Sequence, residues 1–252
     1  MKISVITAVY NNRDTVGQAL DSALAQDHPN VELIVIDGGS TDGTLEVLQG
    51  YADRLAVLVS EPDRGIYDAL NKGIARASGE VVGFLHSDDL LADNSVLSRI
   101  GAAFADPQVD AAYGDLLYVK KDDPRRVVRT WQADAFSPAR LARGWMPPHP
   151  TFYVRRRVYE TLGGYDTSYG IAADYDCVLR LLGKGGIRAA YIPQVLVKMR
   201  VGGASNRSLK NIIRKSREDY RALKKSGVGG LRALAWKNLS KLPQFFMRRA
   251  GV

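Results

Sequence analysis

Through its first 115 residues the chain alternates runs of branched apolar residues with stretches whose apolar residues recur every three or four positions, and this alternation most limits the fold. Strand–helix–strand order at that spacing is made by a mostly parallel sheet with helices on its faces. Ile3–Val9 reads as the first strand, and Val16, Ala19, Leu20, Ala23 and Leu24 then share one face of a helix. A second strand over 31–36 stops at Asp37-Gly38-Gly39-Ser40, where Thr41 or Asp42 can cap a short helix starting near Thr44. A third strand over 56–60 and a helix over 66–77, ended by Ser78-Gly79, follow. Residues 81–85 are apolar without interruption, as a central strand covered on both faces requires. A helix over 95–104 and a short strand over 111–113 complete this half. The second half predicts a hairpin over 116–131 turning at Lys121-Asp122-Asp123-Pro124, a Pro-rich loop over 145–154 running into a strand, helices over 155–162 and 174–182, and edge strands over 188–199. Two basic helices, Leu209–Ser226 and 231–241, end the chain.

At 252 residues such a chain buries a substantial core, and no run of about 18 apolar residues is present to span a bilayer. Met1 leads directly into the first strand, so no signal peptide is expected, and the lone Cys177 fits a reducing compartment. Both point to the cytoplasm. The net charge of +8 is uneven: from Arg207 onward thirteen Lys/Arg face two acids, a net +11 that leaves −3 for the rest. A mildly acidic body argues against a nucleic-acid groove, and a basic tail suits an anionic membrane surface or a solvated helix.

Chemistry concentrates where strands end. Adjacent carboxylates at the carboxyl end of a buried strand, Asp88 and Asp89, are the pattern of a hard-cation site, and Mg²⁺ or Mn²⁺ needs only one or two carboxylates beside phosphate oxygens. Asp89 is assigned to the metal, and Asp88 to ribose or to the same ion. His86 beside them reads as structural. The first turn, Thr7-Ala8-Val9-Tyr10-Asn11-Asn12, lacks the glycines of a phosphate loop and suits a base or sugar edge, or a plain turn and cap. Asp37 can accept hydrogen bonds from a base or ribose, or cap the next helix. Asp63 and Arg64 open a helix carrying Asp68, Asn71 and Lys72, and helix N-termini attract phosphate. Asp174 and Asp176 stand at another helix start, where a carboxylate stays ionised and can take a proton from a hydroxyl.

Taken together, Ile6-Thr7-Ala8-Val9-Tyr10-Asn11, Val35-Ile36-Asp37-Gly38-Gly39-Ser40-Thr41-Asp42-Gly43-Thr44, Glu61-Pro62-Asp63-Arg64-Gly65-Ile66-Tyr67-Asp68-Ala69-Leu70-Asn71-Lys72-Gly73, Phe84-Leu85-His86-Ser87-Asp88-Asp89, Gly163-Gly164-Tyr165-Asp166 and Asp174-Tyr175-Asp176 resemble a family 2 glycosyltransferase of the GT-A type. The resemblance spans about residues 1–205. It implies a GT-A-like α/β domain, with 1–115 as the nucleotide-sugar-binding half and 116–205 as the acceptor half, followed by a basic helical extension over 206–252. It also implies a UDP-, dTDP- or GDP-sugar donor, a divalent cation, and transfer with inversion to a hydroxyl of a glycan or lipid-linked acceptor. Residue by residue, Thr7, Val9, Asn11, Asp37, Asp63, Arg64, Asp68 and Asp88 fall to the donor, Asp88 and Asp89 to the metal, and Asp174 to the general base. Arg200 is assigned to the leaving diphosphate, and His149 and Asp176 to the acceptor. Two positions depart from the family pattern: Ala173 stands where a glutamate usually precedes the base, and His86 replaces the first acid of the metal motif.

A sugar-phosphate nucleotidyltransferase shares this architecture but wants a glycine-rich, basic first loop, which this chain lacks; a non-catalytic sugar-nucleotide module ranks last. The absence of a Gln-x-x-Arg-Trp motif argues against processive synthesis. In the tail, Leu231, Leu234, Ala235, Leu239 and Leu242 form an apolar stripe with Arg232, Lys237 and Lys241 largely off it. Residues 207–252 are thus expected on an anionic membrane, against another subunit, or on the body itself.

Overall fold

The computed structural model describes residues 1–202, 209–228 and 230–239. Among the described residues nine strands form one sheet: β1 Ile3–Val9, β2 Val31–Asp37, β3 Val57–Ser60, β4 Val81–Phe84, β5 Leu90–Leu91, β6 Ala111–Val119, β7 Val127–Trp131, β8 Tyr153–Arg155 and β9 Ala189–Arg200. The helices are α1 Arg13–Leu24, α2 Thr44–Gln49, α3 Ile66–Arg76, α4 Val96–Ala103, α5 Pro138–Ala142, α6 Arg156–Leu162, α7 Ala173–Val178, α8 Leu209–Ser226 and α9 Leu231–Leu239.

The order β3-β2-β1-β4-β8-β6-β9-β5 divides the sheet in two. From β3 to β4 all pairs are parallel; beyond β4 they are mixed, with β4–β8 and β8–β6 antiparallel and β6–β9 parallel. The chain runs outward through β1, β2 and β3, then returns to place β4 on the other side of β1. The loops after β1 and β4 therefore diverge over one crevice, where open α/β sheets bind ligands. Every residue of β1 and β4 is buried, as the unbroken apolar run of β4 required; in β1 this includes Ser4 and Thr7. α3 covers β1 and β2 through Ala69, Leu70 and Gly73, and packs so closely that a Cβ on Gly73 would fall 2.4 Å from Ile6.

In the second half the strands differ from expectation. The strand begun at residue 111 runs on to Val119 and forms the predicted hairpin with β7. The stretch read as edge strands is a single strand, β9, flanked by β6 on one side and on the other by β5, the two residues that follow the acid pair. Pro193, which cannot donate to a ladder, is accommodated where the register slips from Gly114↔Ile192 to Asp115↔Val195.

The helix expected over 174–182 is α7 continued by a π-helical turn, Leu179–Lys184. Against these pack α8, through Asp219, Ala222 and Leu223, and α9, through Ala233 and Lys237, all buried. The apolar stripe read for α9 is thereby rotated: Leu231, Ala235 and Trp236 face outward and Lys237 faces the body. Lys241 and Leu242 lie outside the described residues.

Candidate active site

Because Val9, Asp37 and Ser60 are in register, β1, β2 and β3 end level, and their loops meet. Asp37 is fully buried; its carboxylate accepts the Ser40 hydroxyl (2.5 Å), the Ser40 N–H (3.1 Å) and the Ser60 hydroxyl (2.6 Å). Asn11, at φ +47°, donates its N–H to Ser40 Oγ (2.8 Å) and accepts the Thr41 N–H (2.9 Å). Asp63 accepts the Gly65 N–H at 2.8 Å and fits against Gly38, where a Cβ would lie 2.5 Å from its Oδ2. Asn11, Asp37 and Asp63 thus form one patch. Thr7 and Val9 are buried within β1, which leaves their main chain as what they offer a ligand. Arg64 reaches solvent and holds Asp68 at 3.0 Å, and this bond keeps the Asp68 carboxyl below the usual range.

Past β4 the chain makes a tight turn, in which the Asp89 N–H donates to the His86 carbonyl at 2.9 Å, and the turn sorts its side chains. Ser87 and Asp89 turn inward, while His86 and Asp88 stay partly exposed. Ser87 accepts Asn12 Nδ2 at 2.8 Å, and its carbonyl accepts the Thr15 hydroxyl at 3.0 Å, which ties this loop to the one after β1. Asp89 accepts the Arg200 main-chain N–H at 3.2 Å. The guanidinium of Arg200, 3% exposed, donates to the Asp88 carbonyl (2.6 Å) and to Gln18 Oε1 (2.5 Å). Arg200 lies beneath the acidic loop rather than free in the crevice, and lines a cleft of about 410 Å³ with Asp14, Thr15, Gln18, Lys121, Asp122 and Pro124. Asp89 Oδ2 and Arg200 Nε are buried and take no hydrogen bond among the described residues. Burial, then the charge of Asp88, pushes the Asp89 carboxyl well above its ordinary pKa.

Asp174, in the first turn of α7, reaches the same rim from the second half of the chain. Its Oδ1 lies 3.5 Å from the Tyr67 hydroxyl, and its charge acts on both His86 and His149. Those two imidazoles lie 5.8 Å apart, with His149 stacked on Phe84 at 5.7 Å and its Nε2 bonded to the Tyr165 hydroxyl at 2.7 Å. Burial lowers both, His149 to about 4, which leaves His149 neutral at pH 7, while the charges of Asp88 and Asp174 oppose the shift at His86. Asp176, assigned to the acceptor from sequence, sits elsewhere: it is 4% exposed and faces Arg180 (3.8 Å) and Lys225 (3.5 Å), because two residues along a helix turn a side chain to another face. Tyr67 and Tyr165 were missed. Both stood inside the quoted motifs, where a tyrosine reads as core.

A family model described as "Glycosyl transferase family 2" matches residues 4–170. The PGL/p-HBAD biosynthesis glycosyltransferase of Mycobacterium tuberculosis is 30% identical over 208 residues, 81% of this chain and 78% of the relative. TuaG of Bacillus subtilis, named for teichuronic acid biosynthesis, is 44% identical over 90 residues, 34% of this chain and 36% of its own. Among solved structures, S. aureus TarS 1–349 in complex with UDP-GlcNAc superposes with a TM-score of 0.71 at 20% identity, over 90% of this chain and 66% of that one. The full TarS chain is matched over 40% of its length. The mannosyltransferase PcManGT of Pyrobaculum calidifontis, in complex with GDP-Man and Mn²⁺, gives 0.68 at 24%, over 96% of this chain and 70% of that one. These structures are like this chain in fold; the sequence matches carry more, and by them the chain belongs to glycosyl transferase family 2.

Proposed function

We propose that this glycosyltransferase moves one sugar from a nucleotide-diphospho-sugar to a hydroxyl of a glycan or lipid-linked acceptor, by a single metal-assisted displacement that inverts the anomeric carbon. The observation that carries the reading is Asp174 at the start of α7, 3.5 Å from the Tyr67 hydroxyl and near enough to His86 and His149 for its charge to act on both. A carboxylate there can take the proton of an attacking hydroxyl held in line with the leaving diphosphate. The neutral His149, fixed by Tyr165, forms a wall of the acceptor side and does not compete for that proton. Asn11, Asp37 and Asp63, with the main chain of Thr7 and Val9, bind the nucleoside, and the Arg64–Asp68 pair borders it. Arg200 holds the acidic loop in place from below.

The residues fit a hard cation. Asp89 Oδ2 is a buried carboxylate oxygen with no hydrogen bond among the described residues; burial and Asp88 oppose its charge, and a bound cation is what would offset both and keep it ionised. Asp88 and Asp89 would hold Mn²⁺ or Mg²⁺, which supplies positive charge to the departing diphosphate. Solved relatives bound to UDP-GlcNAc or to GDP-Man with Mn²⁺ support a nucleotide-sugar donor. Relatives named for PGL/p-HBAD and teichuronic acid biosynthesis support a glycolipid or polysaccharide acceptor.

Among the described residues no helix is long and apolar enough to cross a membrane. The outward faces of α8 and α9 carry Ile212, Ile213, Leu231 and Trp236 beside Arg217, Lys224 and Arg232, all exposed. This surface rests on the cytoplasmic face of an anionic membrane, within reach of a lipid-linked acceptor.

The test is a thermal-shift panel of UDP-glucose, UDP-N-acetylglucosamine, dTDP-glucose and GDP-mannose with Mn²⁺, followed by turnover of Asp174→Asn. One sugar nucleotide is expected to stabilise the protein selectively, and only with the metal. Asp174→Asn is expected to bind it normally and to release no nucleoside diphosphate; unchanged turnover removes Asp174 as the base.

A further inference from the structure

The tail contains two acids, Glu218 and Asp219, and both act on α7. Glu218 lies across the segment that leads into that helix, whose N-cap residue, Ala172, has no side-chain oxygen of its own to cap it. Its carboxylate accepts three successive N–H groups, from Gly170 (3.1 Å), Ile171 (2.7 Å) and Ala172 (3.0 Å), and is itself oriented by Arg214 Nε at 2.8 Å. On the other side of the same peptide the Ile171 carbonyl accepts the Tyr67 hydroxyl at 2.6 Å, the hydroxyl that also lies by Asp174. Asp219 pairs at 2.9 Å with Lys237, whose ammonium lies 3.1 Å from the ring centre of Tyr175, the residue after Asp174.

We infer that Glu218 is a positioning residue for glycosyl transfer: by fixing residues 170–172 it sets the direction in which Asp174 points. The inference rests on the reading of Asp174 as the base. Charge-assisted bonds from one carboxylate to three N–H groups make a stiff clamp, stronger than neutral ones. The rest of α8 is anchored independently, by the buried Ala222 and Leu223, by Arg221 on Ser168 (2.9 Å) and by Lys225 on Asp166 (2.9 Å). Removing the Glu218 carboxylate therefore frees the segment before α7 while α8 stays docked. A displacement of a catalytic group by about 1 Å costs on the order of 100-fold in rate.

The experiment uses the full chain with Mn²⁺ and the sugar nucleotide that gives the largest shift in the panel, with water as acceptor. Nucleoside diphosphate release is expressed per donor-binding site counted by calorimetry, so that any unfolded fraction is removed from kcat. Glu218→Ala is expected to lower kcat by roughly 10- to 100-fold with KM for the donor within about twofold, and Glu218→Gln, which keeps one acceptor oxygen, to fall between. Amide exchange over residues 170–178 should accelerate in both variants while β1 and β4 exchange as before. Full kcat per site in Glu218→Ala, or a loss fully accounted for by fewer binding sites, overturns the inference; if Glu218→Ala yields no folded protein, the same criteria apply to Glu218→Gln. Asp174→Asn serves as control: if it turns over, the base assignment fails, and if it is dead while the Glu218 variants are fully active, the positioning role alone fails.

Discussion

A methyl group at Gly83 would fall 2.0 Å from Cε1 of Tyr153, inside the aromatic ring that covers the central strand β4. Tyr153 is itself fully buried, so it has nowhere to retreat. Gly83→Ala should therefore destabilise by about 1–3 kcal/mol, read from a urea midpoint at unchanged slope. Glu32 sets a second residue-scale expectation. Burial opposes its ionisation, yet bonds from Lys2, Ser4 and Ser78 outweigh this and hold it at about 2, against an ordinary 4.5. A lowered pKa contributes stability above the unfolded value and loses it as pH falls from about 4.5 toward 2. Stability of Glu32→Gln should accordingly fall less steeply than that of the parent across that acid window, measured by thermal midpoints. The acids at strand ends were legible from sequence because strand and loop both announce themselves. Which way each points was not. Asp88 and Asp89 are neighbours at one tight turn that leaves the first partly exposed and buries the second, and Arg200 is occupied by Gln18, a residue 182 positions away that no local pattern connects to it.

At the scale of elements, local periodicity found most helices and the parallel strands, but not what lay between them. β9 read as edge because Pro193 interrupts it; its second neighbour, β5, is two residues long and below any periodic signal. The tail shows the same limit. An amphipathic stripe placed Lys237 on the wet side of α9, whereas Lys237 and Asp219 are each 4% exposed and pair at 2.9 Å. A buried ion pair is poorly visible to hydrophobic patterning because both members look like surface. Its removal is informative: Lys237→Ala leaves Asp219 buried without its ammonium and should cost about 3–5 kcal/mol, while Lys237→Met with Asp219→Leu should recover most of that loss. Urea unfolding of the two variants distinguishes a junction held by matched charge from one held by shape alone.

For the whole molecule, the sheet brings sequence-distant segments to one rim: loops after β1, β2 and β3 on one flank, the end of β4 at the switch point, and α7 from the far half. The flank built by β1, β2 and β3 was readable because each βα unit is local. The place of α7 was not, since the segment leading into it is held by Tyr67 from α3 and by Glu218 from α8. The tail is thus bound to the body on one side and, on the other, presents Ile212, Ile213, Leu231 and Trp236 among Arg217, Lys224 and Arg232. Apolar side chains entering an interface and basic ones near anionic lipid, each worth about 1 kcal/mol, reinforce one another. The protein should therefore sediment with phosphatidylglycerol vesicles and not with phosphatidylcholine alone, and less so as salt rises. Ile213→Glu with Trp236→Glu should abolish this binding, and Arg217→Glu with Arg232→Glu should weaken it most at low salt. Hydrolytic turnover in solution should be unchanged in both, because none of these side chains faces α7. If the same substitutions leave vesicle binding intact but dissolve a concentration-dependent dimer, that face joins two copies of the chain, and the acceptor reaches Asp174 without help from the tail.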